Sequence, residues 1–337
     1  MLEALGIGAL VLAVLSVLFL GALVLRRTSL ARAERRRSEL EARLRPLALA
    51  LVDGDEVDVE DRELSAEERA ILAEAIGRLS RSVSGEARER IGEYFAGTDA
   101  YTTEIGALRD HRAWRRATAA YRLGDMACPE AVAAILRRLD DGDPDVRAAA
   151  ARSLGRLAAP EAAEPLIHTL VSGTVPRAIA FRALLDIGPG TLPVLRTLVH
   201  DPDQNVRASA IELLGWLGDA SDDAAVIEAV GDPAAEVRAR AAGALGRLAS
   251  ADGADVLTQA LDDRIYFVRL HAARALGQVG EHAAIPALVR QAREDRFEAA
   301  RAAAEALSRI DPDALLEAAE EPDAGPHLHE AADLLRV

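Results

Sequence analysis

An all-α solenoid of about seven helical pairs, preceded by a single transmembrane helix, is the architecture the sequence predicts. A pattern recurs through the middle of the chain: Asp232–Leu248 reads DPAAEVRARAAGALGRL and returns as Asp141–Leu157, Asp201–Leu217 and Asp263–Val279. The arginine after each register position falls at Arg116, Arg147, Arg177, Arg207, Arg238 and Arg269, at spacings of 31, 30, 30, 31 and 31, and Ala300 takes the seventh place. A period of this length marks a supersecondary unit that buries its apolar face only by stacking on its neighbours. Composition agrees, since half of the 337 residues are apolar while 3% are aromatic, which is the balance of helices built from Ala and Leu. The third observation is Ala4–Leu25, 22 consecutive residues without a charge, long enough as a helix to cross ~30 Å of hydrocarbon.

Taken in order, residues 4–25 form the expected span. Ala31-Arg32-Ala33 resembles a cleavage site, but the apolar run is too long for a signal peptide and no basic residue precedes it. Residues 26–52 read as a basic juxtamembrane helix with eight arginines (26, 27, 32, 35, 36, 37, 43 and 45) against three glutamates, a balance of +5. Basic residues flank the cytoplasmic end of a span, so the expected topology is single-pass in the cell membrane, N-terminus outside and C-terminal bulk cytoplasmic. Residues 53–64 carry seven acids against Arg62 and are too polar to pack; they read as an acidic linker. Residues 65–97 hold two capping helices, the first opened by the Ser65/Glu68 capping box and carrying Ile71, Leu72, Ile76 and Leu79 at helical spacing, the second lying around Glu86–Phe95 after Gly85. Residues 98–310 form the repeat array, and 311–337, beginning at Asp311-Pro312, leave the pattern as a C-terminal cap, which an array needs over its last apolar face.

Within a repeat, prolines stand where first helices begin, as in Pro129 and Pro160, where no internal hydrogen bond is lost. On the second, or register, helix Val237, Ala241, Leu245 and Leu248 lie within about 40° of a common direction at 100° per residue, and form the core stripe. Ala239, Ala242 and Gly246 lie on the opposite side and are small, so that neighbouring repeats can approach. An aspartate six residues before the register arginine recurs as Asp110, Asp141, Asp201, Asp232 and Asp263. It is placed to cap the turn, and the arginine to reach an aspartate of its own or the next repeat.

The helix pairs and the Asp…Val-Arg…Leu-Gly run resemble HEAT repeats, particularly the short bacterial form also found in phycobilin lyase subunits. The resemblance covers about residues 98–310. It implies a right-handed α-α superhelix, an Asp–Arg ladder along it and register helices lining a concave face. The third repeat departs, with Val171 for the aspartate and Pro176 for the valine, so the ladder is expected to break or bend there.

Little points to chemistry. The chain has one cysteine, Cys128, and no lysine, which removes an internal disulfide, a cysteine zinc cluster, a phosphate-loop lysine and a Schiff-base lysine. His329-Glu330-Ala331-Ala332-Asp333 lacks the second histidine of a metalloprotease helix. No catalytic residue, cofactor or metal is expected. The sharper signal is the exposed flank of the register helices, three, six and ten residues beyond each register position. Those places hold seven arginines against four acids in a chain of net charge −15, and include Arg152, Arg156, Arg182, Arg240, Arg247 and Arg274 with His271 and a solitary Trp216. Aromatic and arginine side chains together mark interface hot spots. Trp114, Tyr266 and Phe267, at the turns before register helices, offer a second edge. The expected function is a non-enzymatic, membrane-anchored scaffold or adaptor that binds an acidic segment of a protein partner on this face. The alternative that the resemblance implies is an accessory lyase or chaperone-like subunit acting on a chromophore or protein. Nucleic acid is not an expected partner, because residues 46–337 carry −19 and repel phosphate.

Overall fold

A computed structural model describes residues 2–55 and 64–336; within the first helix it describes the side chains of residues 19, 20, 23 and those from 26 onward. Most side chains of the expected span at 4–25, and residues 56–63 of the expected acidic linker, lie outside the described residues. The chain divides into two units, Met1–Glu104 with Asp125–Cys128, and Ile105–Gly124 with Pro129–Val337.

In the first unit, α1 (Leu2–Asp53) is one helix of 52 residues, ~78 Å long at ~1.5 Å per residue, so the expected span and basic segment are continuous. Its far end is a packed element. Leu44, Leu47, Ala48 and Val52 are buried against α2 (Ala66–Leu79) and α3 (Glu86–Phe95), whose Leu72, Ile76, Ile91 and Phe95 complete the core. Arg36 meets Glu67 at 2.8 Å, and Arg37, Arg43 and Glu41 pair with Glu74, Glu68 and Arg78, so part of the basic segment is neutralised by α2. The Ser65/Glu68 capping box opens α2, and Gly85, at φ 60°, sets the turn into α3.

Beyond these, α4 (Asp99–Ala107) crosses from one unit to the other, and α5 (Ala113–Asp125) is the first register helix. First and register helices then alternate: α6 (Val132–Leu136) and α7 (Pro144–Arg156), α8 (Ala163–Ser172) and α9 (Arg177–Ile187), α10 (Leu192–Leu198) and α11 (Gln204–Leu217), α12 (Asp223–Ala229) and α13 (Ala235–Leu248), α14 (Ala254–Ala260) and α15 (Tyr266–Val279), α16 (Ile285–Glu294) and α17 (Phe297–Ile310). Last come α18 (Pro312–Glu320) and α19 (Pro326–Leu335), which pack on α17. There His327 is buried with its ring edge-on to Phe297 at 4.7 Å. Among the described residues no group of His, Cys, Asp or Glu is placed to hold a metal.

Both stripes of the register helix are buried. Val237, Ala241 and Leu245 face the core of their own repeat, while Leu248, at the helix end, is half-exposed. Ala239, Ala242 and Gly246 are buried as well. The glycine nine residues after the register position has a definite function in stacking. A Cβ at Gly155, Gly215, Gly246 or Gly277 would lie 2.6–2.9 Å from the Cα of Ala183, Ala244, Ala275 or Ala306 on the next register helix, closer than carbon atoms can approach. With so many alanines each burial contributes little, and backbone proximity recovers dispersion contacts along the whole interface.

Arginine and aspartate tie the repeats together. Arg116, Arg207, Arg238 and Arg269 each grip the carboxylate of Asp141, Asp232, Asp263 and Asp295, one repeat on, with two N–H groups at 2.5–3.0 Å. Nη1 of each also donates to the carbonyl of the aspartate six residues before it, at 2.7–3.0 Å. The arginine therefore takes its neighbour's carboxylate and its own aspartate's backbone. That carboxylate also accepts a backbone N–H from its own turn, as Asp232 does from Ala234 at 2.8 Å. The departure at the third repeat is visible: with no aspartate there, Arg147 Nε donates instead to the Thr174 carbonyl at 2.8 Å. Leu185 stands where the stacking glycine would be, and α9 and α11 make far fewer contacts than other successive register helices.

Among the described residues one stretch, Arg177–Leu198, has the length and apolarity of a membrane span. It is α9 and α10 with a 3-10 turn at Gly188–Thr191 between them. Ala180, Ala183, Leu184 and Leu195 are buried in the repeats, so its apolarity is that of a solenoid core.

Candidate protein-binding flank

With two faces of each register helix buried, what remains is the flank singled out from the sequence, and the structure divides its residues into distinct groups. Arg182 is bound by Asp186, one turn on, at 2.8 Å. Arg156 lies over the ring of Tyr121 at 4.2 Å, and Arg152 is exposed beside it on α7. The third group spans three helices. Trp216 on α11 is 56% exposed, and the Arg247 guanidinium of α13 lies 5.0 Å from its ring. Arg240 on α13 reaches Glu212 at 3.0 Å and Glu236 at 2.7 Å. His271 and Arg274 follow on α15, and both Arg240 and Arg274 act on the His271 charge.

Electrostatics single out two arginines of this third group. Among the described residues no carboxylate stands within 4 Å of Arg247 or Arg274, whereas Arg182 and Arg240 are neutralised where they stand. Burial lowers the Arg247 pKa from its ordinary value, Glu212 opposing and Arg240 adding to the effect. Burial, followed by Arg240 and Arg274, holds His271 below the usual histidine range, with Glu236 opposing and Arg247 reinforcing. The ladder has the reverse character. Asp141 is lowered chiefly by the hydrogen bond from Arg116. In Asp232 and Asp263 burial works upward, but the bonds from Arg207 and Arg238 and from the turn backbone outweigh it.

A shallow cavity of about 160 Å³ lies at the irregular third repeat, lined by Arg177, Asn205, Ser209, Glu212, Glu236 and Arg240. Arg177 meets Glu212 at 2.5 Å, so its charges are already paired. At the turns before the register helices Trp114 is 64% exposed with Arg115 over its ring at 5.7 Å, while Tyr266 and Phe267 are half-buried and touch edge to face. The three aromatics therefore do not behave alike. Sequence reasoning placed Trp216 and the arginines on one flank, but not the stacking of Arg247 on Trp216, which depends on how far α11 and α13 are offset.

The profile of HEAT repeats matches residues 105–185, 172–235 and 223–308, more than half of the chain. The protein belongs to the HEAT repeat family. Solved structures similar to this HEAT protein include human deoxyhypusine hydroxylase in complex with glycerol, 20% identical over 81% of this chain and 98% of that one, with a TM-score of 0.33. An engineered protein is 21% identical over 85% and 86%, with a TM-score of 0.38. The complex of CpcE and CpcF of phycocyanin lyase from Nostoc sp. PCC7120 gives 20%, 83%, 98% and 0.28 in the same order. No protein of curated function matches the chain. HEAT arrays offer extended surfaces that bind other proteins.

Proposed function

We propose that this HEAT protein is a non-enzymatic scaffold, anchored in the cell membrane by α1, that holds a protein partner carrying an acidic segment on the flank centred on Trp216. The observation that carries the reading is an exposed tryptophan with Arg247 over its ring, on a flank where neither Arg247 nor Arg274 has a carboxylate within 4 Å among the described residues. An arginine stacked on an aromatic face is already oriented and loses little freedom on binding. The net charge of −15 makes the patch a local exception on an acidic surface, which favours a segment of opposite sign and disfavours nucleic acid. Trp216→Ala should weaken partner binding about 30-fold, the effect of a hot spot worth about 2 kcal/mol. Reversing Arg247 and Arg274 to Glu should abolish recovery of crosslinked partner while helicity is unchanged. Unchanged recovery would defeat the assignment.

Anchoring through residues 4–25 is supported by the uncharged run and by Phe19, Leu20, Leu23 and Leu30, all exposed on α1. The arginines that follow favour a cytoplasmic array. Fractionation of the full chain beside one lacking residues 1–27 tests the anchor, the longer chain sedimenting with membranes and the shorter staying in solution. Protease added to intact cells tests the orientation, and cleavage of the array from outside would reverse it.

A further inference from the structure

Six residues after the register position the other repeats carry Tyr121, Arg152, Arg182, Glu212, Arg274 and Glu305, and the fifth carries Gly243. Nothing in its backbone demands glycine, because Gly243 is ordinary helix and not among the positive-φ residues. The effect of the missing side chain is spatial. A Cβ at Gly243 would lie 3.6 Å from Arg247 Nη1 and 3.7 Å from His271 Nδ1, so a guanidinium from α13 and an imidazole from α15 border the notch left where the side chain is missing. Arg240 stands one turn before Gly243 on α13, and Arg274 one turn after His271 on α15. Arg240 is engaged by Glu212 and Glu236; Arg247 and Arg274 have no carboxylate within 4 Å among the described residues.

Like charges without an ion-pair partner of their own, as Arg247 and Arg274 are, repel one another, and Arg247 and His271 are also partly desolvated, so the arrangement is stabilised when an anion completes it. We infer that the Gly243 notch receives a carboxylate side chain of an acidic peptide, gripped by Arg247 and Arg274 and contacted by His271, with Trp216 against the peptide's neighbouring apolar part. The inference rests on the protein-binding flank proposed above and names its centre. It also implies a dependence on pH. With the notch empty, burial and then Arg240 and Arg274, reinforced by Arg247, hold His271 below the usual histidine range, Glu236 opposing. A carboxylate beside the ring reverses that balance and draws a proton onto it. Binding then takes up a proton, and affinity rises as pH falls through the range where the bound histidine titrates.

The test uses the full chain in detergent and a fluorescein-labelled peptide rich in Glu with one Leu, its binding followed by anisotropy. The same peptide with Gln for Glu, and a phosphoserine version of the Gln peptide, serve as comparisons. The Glu peptide should bind at least about tenfold more tightly than the Gln peptide, and more tightly at about pH 5.5 than at about pH 7.5. Gly243→Leu fills the notch without changing charge and should weaken the Glu peptide at least about tenfold. Arg274→Gln, at an exposed position, should do the same with no effect on helix packing. His271→Gln should keep the affinity seen at the higher pH and remove the rise at the lower. Equal binding of the Glu peptide by Gly243→Leu and Arg274→Gln would overturn the notch. So would a retained pH dependence in His271→Gln, or binding of the phosphoserine peptide alone, which would assign a phosphate instead. If Arg247 and Arg274 reversal abolishes partner recovery but Gly243→Leu does not, the notch fails and the flank stands; if neither has an effect, both fail.

Discussion

Arg238→Ala should be among the most destabilising single substitutions in the array. The Arg238 side chain is 10% exposed and that of Asp263 is 13% exposed. Arg238 gives Asp263 two hydrogen bonds, at 2.7 and 3.0 Å, and gives the carbonyls of Asp232 and Pro233 two more, at 3.0 and 3.1 Å. Truncation leaves the Asp263 carboxylate with only the Ile265 N–H, at 2.8 Å, in a place where water reaches poorly. Removing one member of a buried ion pair costs about 3–5 kcal/mol. In a cooperative unit of this size each kcal/mol moves Tm by about 2–4 °C, so the expected fall is about 6–20 °C by circular dichroism. Hydrogen exchange should show the loss first in α13 and α15, because a solenoid is stabilised by nearest neighbours. The pH dependence adds a second reading. Asp263 is held below its ordinary pKa in the fold, so its contribution is whole above the unfolded value of about 3.9 and is lost as pH falls through the folded one. Arg238 is raised further above an already high value and loses nothing on the alkaline side. The gap between wild type and Arg238→Ala should therefore stay constant from about pH 5 to 9 and shrink below about pH 4. A loss under about 1 kcal/mol, the scale of an exposed pair, or a gap indifferent to acid, would refute the ladder as a source of stability.

Three further substitutions probe other parts of the same logic. Ala249 ends α13 at φ 51°, a conformation that costs a side chain about 1 kcal/mol; Ala249→Gly should raise stability by about 0.5–1 kcal/mol in urea titration despite the added freedom of the unfolded chain, and a loss would show that the strain is absent. Gly215→Ala places a Cβ 2.6 Å from the Ala244 Cα and 3.0 Å from Arg247 Nη2, so it should cost about 1–3 kcal/mol by overpacking and also disturb the arginine that stacks on Trp216. A stable variant with unchanged Trp216 fluorescence would contradict the close approach of α11 and α13. Ser65→Ala removes the α2 capping box and should cost about 1 kcal/mol, read as faster exchange of the first amides of α2 with α7–α17 unaffected.

The repeat, the core stripe, the small stripe and the irregular third repeat were all legible in the sequence, because helix periodicity converts spacing into faces and a 30- or 31-residue period multiplies the signal. Even the turn-capping aspartate was evident from its offset to the register arginine. Which aspartate the arginine grips was not, since its own and the next lie within reach of a long side chain and the rise from one repeat to the next decides between them. The same holds for the flank. Spacing alone placed Arg152, Arg156, Arg182, Trp216, Arg240, Arg247, His271 and Arg274 together as one strip. The i,i+4 spacing already offers Asp186 to Arg182 and Glu236 to Arg240 within one helix, whereas only the offset between neighbouring helices brings Glu212 to Arg240 and lays Arg247 on Trp216. Nor does Gly243 in the sequence announce a notch, because the notch is bordered by Arg247 and by His271 of the following repeat. Local sequence determined what each helix presents, since a side chain's direction follows from its place in the turn. The tertiary structure decided which charges remain unpaired, since that depends on distances between residues about thirty positions apart.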